Sequence, residues 1–231
     1  MRLSLLVLCT APLAATALSW APARAQSIPS PYSYIERRQE AGPFTGYMSA
    51  ASGRFGFGPS GGNVYGGRWG LELAGPVSLE GVASLVDGTR DVVNPGRVEG
   101  DRIVGEGDVL IGTVDARLKF SFTGQRAWHG VSPFIVAGGG IAMDLSDSAE
   151  ADATLEPADV YEFGTSFFGT AGLGTRWFVT ERFALRADGI FSLWRLDTPP
   201  GFSDPARGFE SVPESEWARG LSLTLSLLYR W

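Results

Sequence analysis

The sequence predicts an all-β protein, folded as an eight-stranded antiparallel up-and-down barrel that spans a membrane. Three observations lead to this fold class. An export signal opens the chain, segments that alternate apolar with small or polar residues fill the rest, and short turns alternate with long loops between those segments. Alternation with a period of two is typical of β-strands, and only helices or closed barrels satisfy their backbone hydrogen bonds inside a bilayer.

The export signal is predicted at residues 1–25. An apolar run is followed there by the small-residue sequence Ala23-Arg24-Ala25, so we expect cleavage before Gln26. A transmembrane anchor is the competing interpretation. It is disfavoured because the run is short and contains Pro12.

Composition narrows the function classes. Cys9 is the only cysteine and lies in the predicted signal peptide, so disulfides and thiolate chemistry are excluded from the exported protein. The net charge of −6, with Lys119 the only lysine, argues against a nucleic-acid partner. No later stretch approaches the roughly 20 apolar residues of a membrane helix. Membrane insertion would therefore be by strands, which predicts the bacterial outer membrane as the location.

The chain after the signal peptide divides into two parts. Residues 26–43 are predicted to form a short periplasmic segment, and residues 44–231 the barrel. Eight alternating segments are predicted as strands: Phe44–Arg54, Asn63–Ala74, Val77–Thr89, Asp108–Phe122, Val131–Leu145, Phe163–Val179, Phe183–Trp194 and Trp217–Trp231. Their connections alternate between short and long, as in barrels with one periplasmic and one extracellular rim.

The last segment carries the clearest alternation. Its apolar face consists of Leu221, Leu223, Leu225, Leu227, Tyr229 and Trp231, and small or polar residues occupy most positions between them. Such a face points to lipid in a transmembrane barrel. A terminal aromatic residue preceded by apolar residues at every second position resembles the signal that the barrel assembly machinery recognises in outer-membrane proteins. This resemblance implies an assembly signal at Leu223, Leu225, Leu227, Tyr229 and Trp231.

The same register predicts which charged residues face the interior. They are Arg68, Arg117, Lys119, Arg176 and Arg186, opposed by Glu72, Glu80, Asp115 and Asp188. An eight-stranded barrel is just wide enough for side chains to fill it, and buried charges need partners. We therefore predict a closed, salt-bridged interior with five positive and four negative charges. A narrow gated or proton-coupled conductance is the alternative.

Two further groups lie near the strand ends. The predicted interfacial anchors are Trp69, Trp177, Trp194, Trp217, Tyr229 and Trp231. The third long loop contains Asp147, Glu150, Asp152, Glu156, Asp159 and Glu162, with no basic residue between them. We predict a solvated, extracellular acidic loop. Calcium binding is the alternative, but the spacing of a dedicated calcium loop is absent.

Gly172 to Asp188 contains a G-x-G-x-R-aromatic strand, a Thr-Glu-Arg turn and an L-R-x-D strand. This run resembles small eight-stranded outer-membrane barrels of the OmpA/OmpX type, and the similarity extends over about Phe44 to Trp231. The resemblance implies the fold more than a function, since tethers, adhesins and defence proteins share this scaffold. The sequence ends at Trp231, so no peptidoglycan-binding domain of the OmpA kind is expected after the barrel.

Some outer-membrane barrels are enzymes, such as the lipid A deacylases with their His-x-Ser pair. His129 is the only histidine here, and His129-Gly-Val-Ser132 has a different spacing and lies in a predicted periplasmic turn. The sequence therefore predicts no enzyme: no catalytic residue, no metal site and no cofactor.

Three hypotheses of function follow. The first is a structural or surface-interaction protein that displays its loops outside the cell. The second is a passive transporter of the OmpW kind, in which an apolar lumen carries small hydrophobic solutes. The third is a soluble lipocalin-like binder. Expected partners are outer-membrane lipid and lipopolysaccharide, with the assembly machinery during biogenesis, and we expect a monomer. The sequence identifies no extracellular partner.

Overall fold

A computed structural model describes residues 30–231, so the predicted signal peptide at residues 1–25 lies outside the described part of the chain. The described strands are β1 (Tyr32–Tyr34), β2 (Gln39–Ala50), β3 (Pro59–Ala74), β4 (Val77–Val93), β5 (Ile103–Ser121), β6 (Arg126–Trp128), β7 (Val131–Asp144), β8 (Thr165–Phe178), β9 (Phe183–Asp197) and β10 (Ser215–Arg230). Three short 3-10 turns span Glu150–Thr154, Pro200–Ser203 and Pro205–Arg207. Within residues 30–231, no helix has the length and apolarity to cross a bilayer.

Eight of these strands close into a barrel. They pair antiparallel in the order β2, β3, β4, β5, β7, β8, β9 and β10, and β10 returns to pair with β2. In the closing pair, Leu223 is aligned with Tyr47 and Tyr229 with Ala41. Closure gives every barrel strand two neighbours, which removes the exposed edges of an open sheet. The predicted fold class is confirmed.

The connections separate into two rims. The turn rim carries the start of β2, the end of β10 and the links at residues 75–76, 122–130 and 179–182, of which 122–130 contains β6. The loop rim carries the links at residues 51–58, 94–102, 145–164 and 198–214. The two shortest links, of two and four residues, lie on the turn rim, and the two longest, of 20 and 17 residues, lie on the loop rim. In outer-membrane barrels the short turns are periplasmic and the longer loops are extracellular.

The first barrel strand begins at Gln39, not at Phe44 as predicted. Ala41 pairs with Tyr229 on one side and with Trp69 on the other, so this stretch belongs to the barrel. The sequence does not predict this part of the strand, because Gly42 and Pro43 interrupt the alternation of apolar and polar residues. The ladder with β10 skips residues 42–43, since proline has no backbone N–H to donate.

The segment before β2 also differs from the predicted tail. β1 pairs antiparallel with β6, and Tyr34 lies opposite Arg126. The backbone N–H of Ile35 donates to the carbonyl of Gln125, and that of His129 donates to Pro31, at 2.9 Å each. The segment is therefore folded against the turn between β5 and β7.

The outside of the barrel is apolar. Leu223 exposes 63% of its surface and Leu225 66%. The exposed large hydrophobic residues of the other barrel strands include Val114, Leu118, Ile135, Ile141, Phe167, Leu173, Leu185 and Phe191. A continuous apolar surface of this kind is stable in lipid and unfavourable in water. It excludes the lipocalin-like alternative, whose apolar face would point inward.

Candidate functional site

The interior near the turn rim is filled by charged side chains. All nine residues predicted to face inward lie inside the barrel, and Glu40 joins them. The set consists of Glu40, Arg68, Glu72, Glu80, Asp115, Arg117, Lys119, Arg176, Arg186 and Asp188. We call it the charge plug. Arg176 exposes only 1% of its surface, so the plug is shielded from water.

One part of the charge plug centres on Glu40. Its Oε1 accepts from Lys119 Nζ at 2.7 Å, and its Oε2 accepts from Arg176 Nη1 at 3.0 Å. Arg176 Nη1 also donates to Glu72 Oε1 at 2.7 Å. Two carboxylates from β2 and β3 are thereby joined to two cations from β5 and β8.

A second part centres on Arg186. Its Nη1 donates to Glu80 Oε2 at 2.6 Å, and its Nη2 donates to Asp188 Oδ1 at 2.7 Å. Arg68 Nη1 reaches the same Asp188 oxygen at 2.8 Å. Lys119 Nζ lies 3.9 Å from Glu80, which links the two parts. The network thus crosses the lumen from wall to wall.

Asp115 and Arg117 complete the charge plug. They lie two residues apart on β5, on the same face of the strand, and form a buried ion pair. With Glu40 included, the plug contains five basic and five acidic side chains. The predicted imbalance of five against four arose because Glu40 was assigned to the periplasmic segment. That imbalance was itself a signal that an inward carboxylate had been missed, since an unpaired buried charge is costly.

Two aromatic rings from the barrel wall cover two of the four arginines of the plug. The Phe134 ring lies 4.4 Å from the guanidinium carbon of Arg186, and the Phe44 ring lies 4.5 Å from that of Arg68. Gly174 leaves room for Phe134, because a Cβ at Gly174 would lie 2.6 Å from Phe134 Cζ. These contacts add cation–π attraction in a desolvated setting.

The lumen toward the loop rim is apolar, so the salt bridges occupy only the part of the interior near the turn rim. A cavity of about 80 Å³ lies there. Its apolar lining includes Phe44, Met48, Val64, Val86, Ile111, Ala142, Phe168, Ile190 and Trp194, and Arg68, Asp115 and Arg117 also border it. The charged residues mark only part of the interior, because valine and isoleucine face inward on the same strands nearer the loop rim.

Trp194 corrects a further prediction. It exposes only 6% of its surface and lines the cavity, so it is not an interfacial anchor. Its even position on β9 places it on the inward face with Arg186 and Asp188. Trp69, Trp177 and Trp217, by contrast, face outward.

The loop rim is closed by packed aromatic side chains. Phe57 and Tyr161 have ring centroids 5.0 Å apart, as do Phe55 and Phe202, while Phe209 lies 5.7 Å from Phe202. These five residues come from the loops at residues 51–58, 145–164 and 198–214. We call them the aromatic cap. Burial in the cap raises the pKa of the Tyr161 phenol.

The acidic loop is only partly solvated. Asp147, Glu150 and Glu162 are exposed, but Asp152 and Asp159 are buried. Asp152 forms an ion pair with Arg90 of β4.

Arg207 of the last long loop is the second cation that meets the acidic loop. It donates to Asp159 Oδ1 at 2.6 Å and to Glu156 Oε2 at 2.9 Å. The hydrogen bond from Arg207 to Asp159 raises the pKa of the arginine. Sequence reasoning missed both cations because they lie far away in the chain. Among residues 30–231, no group of three or more His, Cys, Asp or Glu side chains is arranged to hold a metal ion.

The residues of the predicted assembly signal all point outward. Leu223, Leu225 and Leu227 are exposed on the lipid face of β10. The rings of Tyr229 and Trp231 are stacked with centroids 6.0 Å apart at the turn rim. His129 lies in the turn before β7, where its ring contacts Trp128 at 4.8 Å.

Comparison with known proteins agrees with this architecture. No protein-family model and no curated protein matches the chain. Among solved structures, the outer membrane protein OprG from Pseudomonas aeruginosa aligns over 86% of this chain and 97% of its own, with a TM-score of 0.55 and 12% identity. The fold is that of the small outer-membrane barrels. Neisserial surface protein A aligns over 84% of this chain and 97% of its own, with a TM-score of 0.50 and 12% identity.

Proposed function

We propose that this outer-membrane barrel is non-conducting and non-catalytic, and that it acts as a structural and surface-interaction protein through its extracellular loops. The observation that carries the proposal is that side chains fill the lumen at both ends. The charge plug occupies the turn-rim end, and the aromatic cap occupies the loop-rim end.

The charge plug opposes ion flow for an electrostatic reason. An ion crossing it would have to displace paired charges, and breaking one buried pair costs about 3–5 kcal/mol. Arg176, Arg186 and Lys119 are each almost completely buried, so water offers no alternative partner. The alternative of a narrow gated conductance would require several of these pairs to separate together.

The aromatic cap favours a role in recognition. Loops that share one apolar core, with ion pairs to Arg90 and Arg207, are held in a fixed shape. A preorganised surface loses less conformational entropy when it binds a partner. The exposed carboxylates of Asp147, Glu150 and Glu162 favour a partner that carries positive charge, including divalent cations bound to lipopolysaccharide.

Loop replacement tests this proposal. A variant with residues 147–162 replaced by a short Gly/Ser turn should still assemble, while losing surface adhesion or outer-membrane integrity in a deletion strain. The matched control replaces residues 94–102, whose loop contributes none of the five residues of the aromatic cap. Unchanged surface adhesion and outer-membrane integrity in the variant that lacks residues 147–162 would contradict the proposal. Permeation of sugars through the wild-type barrel, measured by liposome swelling, would contradict it as well.

A second candidate function is supported by the apolar cavity. We propose as this alternative that the barrel binds and passes small hydrophobic solutes, since a lumen built only for stability needs no cavity with apolar walls. Uptake of a small apolar dye by proteoliposomes tests it. Uptake should exceed that of protein-free liposomes, and it should fall when Ala142→Leu fills the cavity.

A further inference from the structure

Two hydrogen-bond donors stand out in the lining of the apolar cavity. Trp194 Nε1 and Arg68 Nε are buried and have no hydrogen-bond partner among the residues that the structure describes. Both residues line the cavity, and each exposes 6% or less of its surface. A buried polar atom without a partner is costly, so each of these groups calls for an explanation.

Several neighbouring polar groups of the lining are already paired. The hydroxyls of Ser84 and Thr113 are hydrogen-bonded to each other at 2.6 Å. Thr224 Oγ1 donates to Asp188 Oδ2 at 2.9 Å, and the Asp115 carboxylate is occupied by Arg117. Both nitrogens carry an N–H that can only donate a hydrogen bond. A ligand that satisfies them must therefore carry a hydrogen-bond acceptor.

The charge balance next to the cavity disfavours an anionic ligand. The charge plug holds five basic and five acidic side chains, and Arg68 is already paired with Asp188 at 2.8 Å. An added carboxylate would leave one uncompensated buried charge, which is strongly unfavourable. A neutral oxygen acceptor satisfies a donor without that penalty.

The cavity also limits the size of the ligand. Its volume is about 80 Å³, whereas a cavity that holds one water molecule needs about 10–15 Å³ on the same measure. A short chain of a few heavy atoms therefore fits without rearrangement. The apolar walls formed by Val64, Val86 and Ile111 favour aliphatic groups.

We propose that the cavity is a binding site for a small neutral solute that is apolar apart from a hydrogen-bond-accepting oxygen, such as a short ketone, aldehyde or ester. Trp194 Nε1 or Arg68 Nε donates to that oxygen. The inference rests on the second candidate function above and adds to it the polar feature by which the cavity selects its ligand.

Three ligands of similar size test the proposal on the full barrel in lipid nanodiscs. They are 2-butanone, its oxygen-free isostere 2-methyl-1-butene, and butyrate. With tryptophan labelled by nitrogen-15, the indole N–H resonance of Trp194, assigned from Trp194→Phe, should shift saturably with 2-butanone. The outward-facing Trp177 serves as the control for partitioning into lipid, and its resonance should show no saturable change.

The expected selectivity follows from one neutral hydrogen bond. We expect 2-butanone to bind about 2- to 10-fold more tightly than 2-methyl-1-butene, and Trp194→Phe to remove part or all of that advantage. Trp177→Phe should leave it unchanged. Heat-modifiable gel migration establishes that each variant is folded.

Each other outcome has a defined meaning. Equal binding of the ketone and the alkene would overturn the proposal that a hydrogen-bond donor in the cavity selects the ligand. The second candidate function, passage of small hydrophobic solutes, would still stand. Tighter binding of butyrate would overturn the preference for a neutral ligand. Failure of all three ligands to bind would overturn both this inference and the second candidate function.

Discussion

Replacing Glu40 by glutamine should destabilise the barrel strongly, because this carboxylate neutralises two buried cations. Glu40 accepts from Lys119 at 2.7 Å and from Arg176 at 3.0 Å, and it lies almost entirely out of water. The substitution keeps the size of the side chain and leaves five basic against four acidic groups. Breaking a buried ion pair from one side costs about 3–5 kcal/mol, and we expect a loss of that size in the free energy of unfolding.

A double-mutant cycle separates the charge effect from a packing effect. Lys119→Met alone leaves an excess negative charge, while Lys119→Met combined with Glu40→Gln restores neutrality at four against four. The double variant should therefore be more stable than the sum of the single effects predicts, by about 1–3 kcal/mol. Unfolding by guanidinium in lipid vesicles, followed by tryptophan fluorescence and gel migration, measures these free energies.

The matched control is Glu181→Gln at the turn rim. Glu181 lies 4.0 Å from Arg37 and its side chain is 92% exposed, so its loss should not change stability measurably. Two results would refute the account of the charge plug. One is strict additivity of the changes in unfolding free energy in the double-mutant cycle, and the other is a loss of stability in Glu181→Gln equal to that in Glu40→Gln.

Three further variants test the surroundings of the lumen. Leu223→Arg, in the middle of β10 on the lipid face, should destabilise the barrel by about 2–4 kcal/mol in vesicle unfolding, and an unchanged stability would contradict the burial of this face in lipid. Asp152→Asn should increase protease cleavage of the acidic loop, because it weakens the buried ion pair with Arg90. Asp147→Asn, at an exposed site, should leave cleavage unchanged, and equal cleavage of the two variants would show that the ion pair does not hold the loop. Replacing both Tyr229 and Trp231 by aspartate should block assembly and leave periplasmic aggregates, and normal heat-modifiable migration would argue against an assembly role for this end.

Strand register is the part of the fold that the sequence predicts best. Each barrel strand has one face toward lipid and one face toward the packed lumen. The alternation of apolar and polar residues therefore predicts, for each residue, whether its side chain points outward or inward. On this basis Leu223 is expected on the outer surface and Arg186 in the lumen, and these residues are 63% and 2% exposed respectively. The alternation fails at Gly42 and Pro43, where a glycine and a proline carry no face information, and the start of β2 was therefore missed.

The contents of the loop-rim half were harder to predict, since they depend on contacts between distant segments. Asp152 meets Arg90 across 62 positions of the chain, and Arg207 meets Asp159 across 48. No local pattern in the acidic loop marks these partners. Trp194 could have been found, because its parity on β9 matches that of Arg186 and not that of its lipid-facing neighbours.

The central claim is that paired side chains close the lumen, and single-channel recording in planar bilayers tests it most directly. The wild-type barrel should show no conductance steps, because paired side chains fill its lumen. Steady conductance steps of the wild-type barrel would contradict the claim, and their loss in Arg176→Ala would show that the arginine belongs to an ion path.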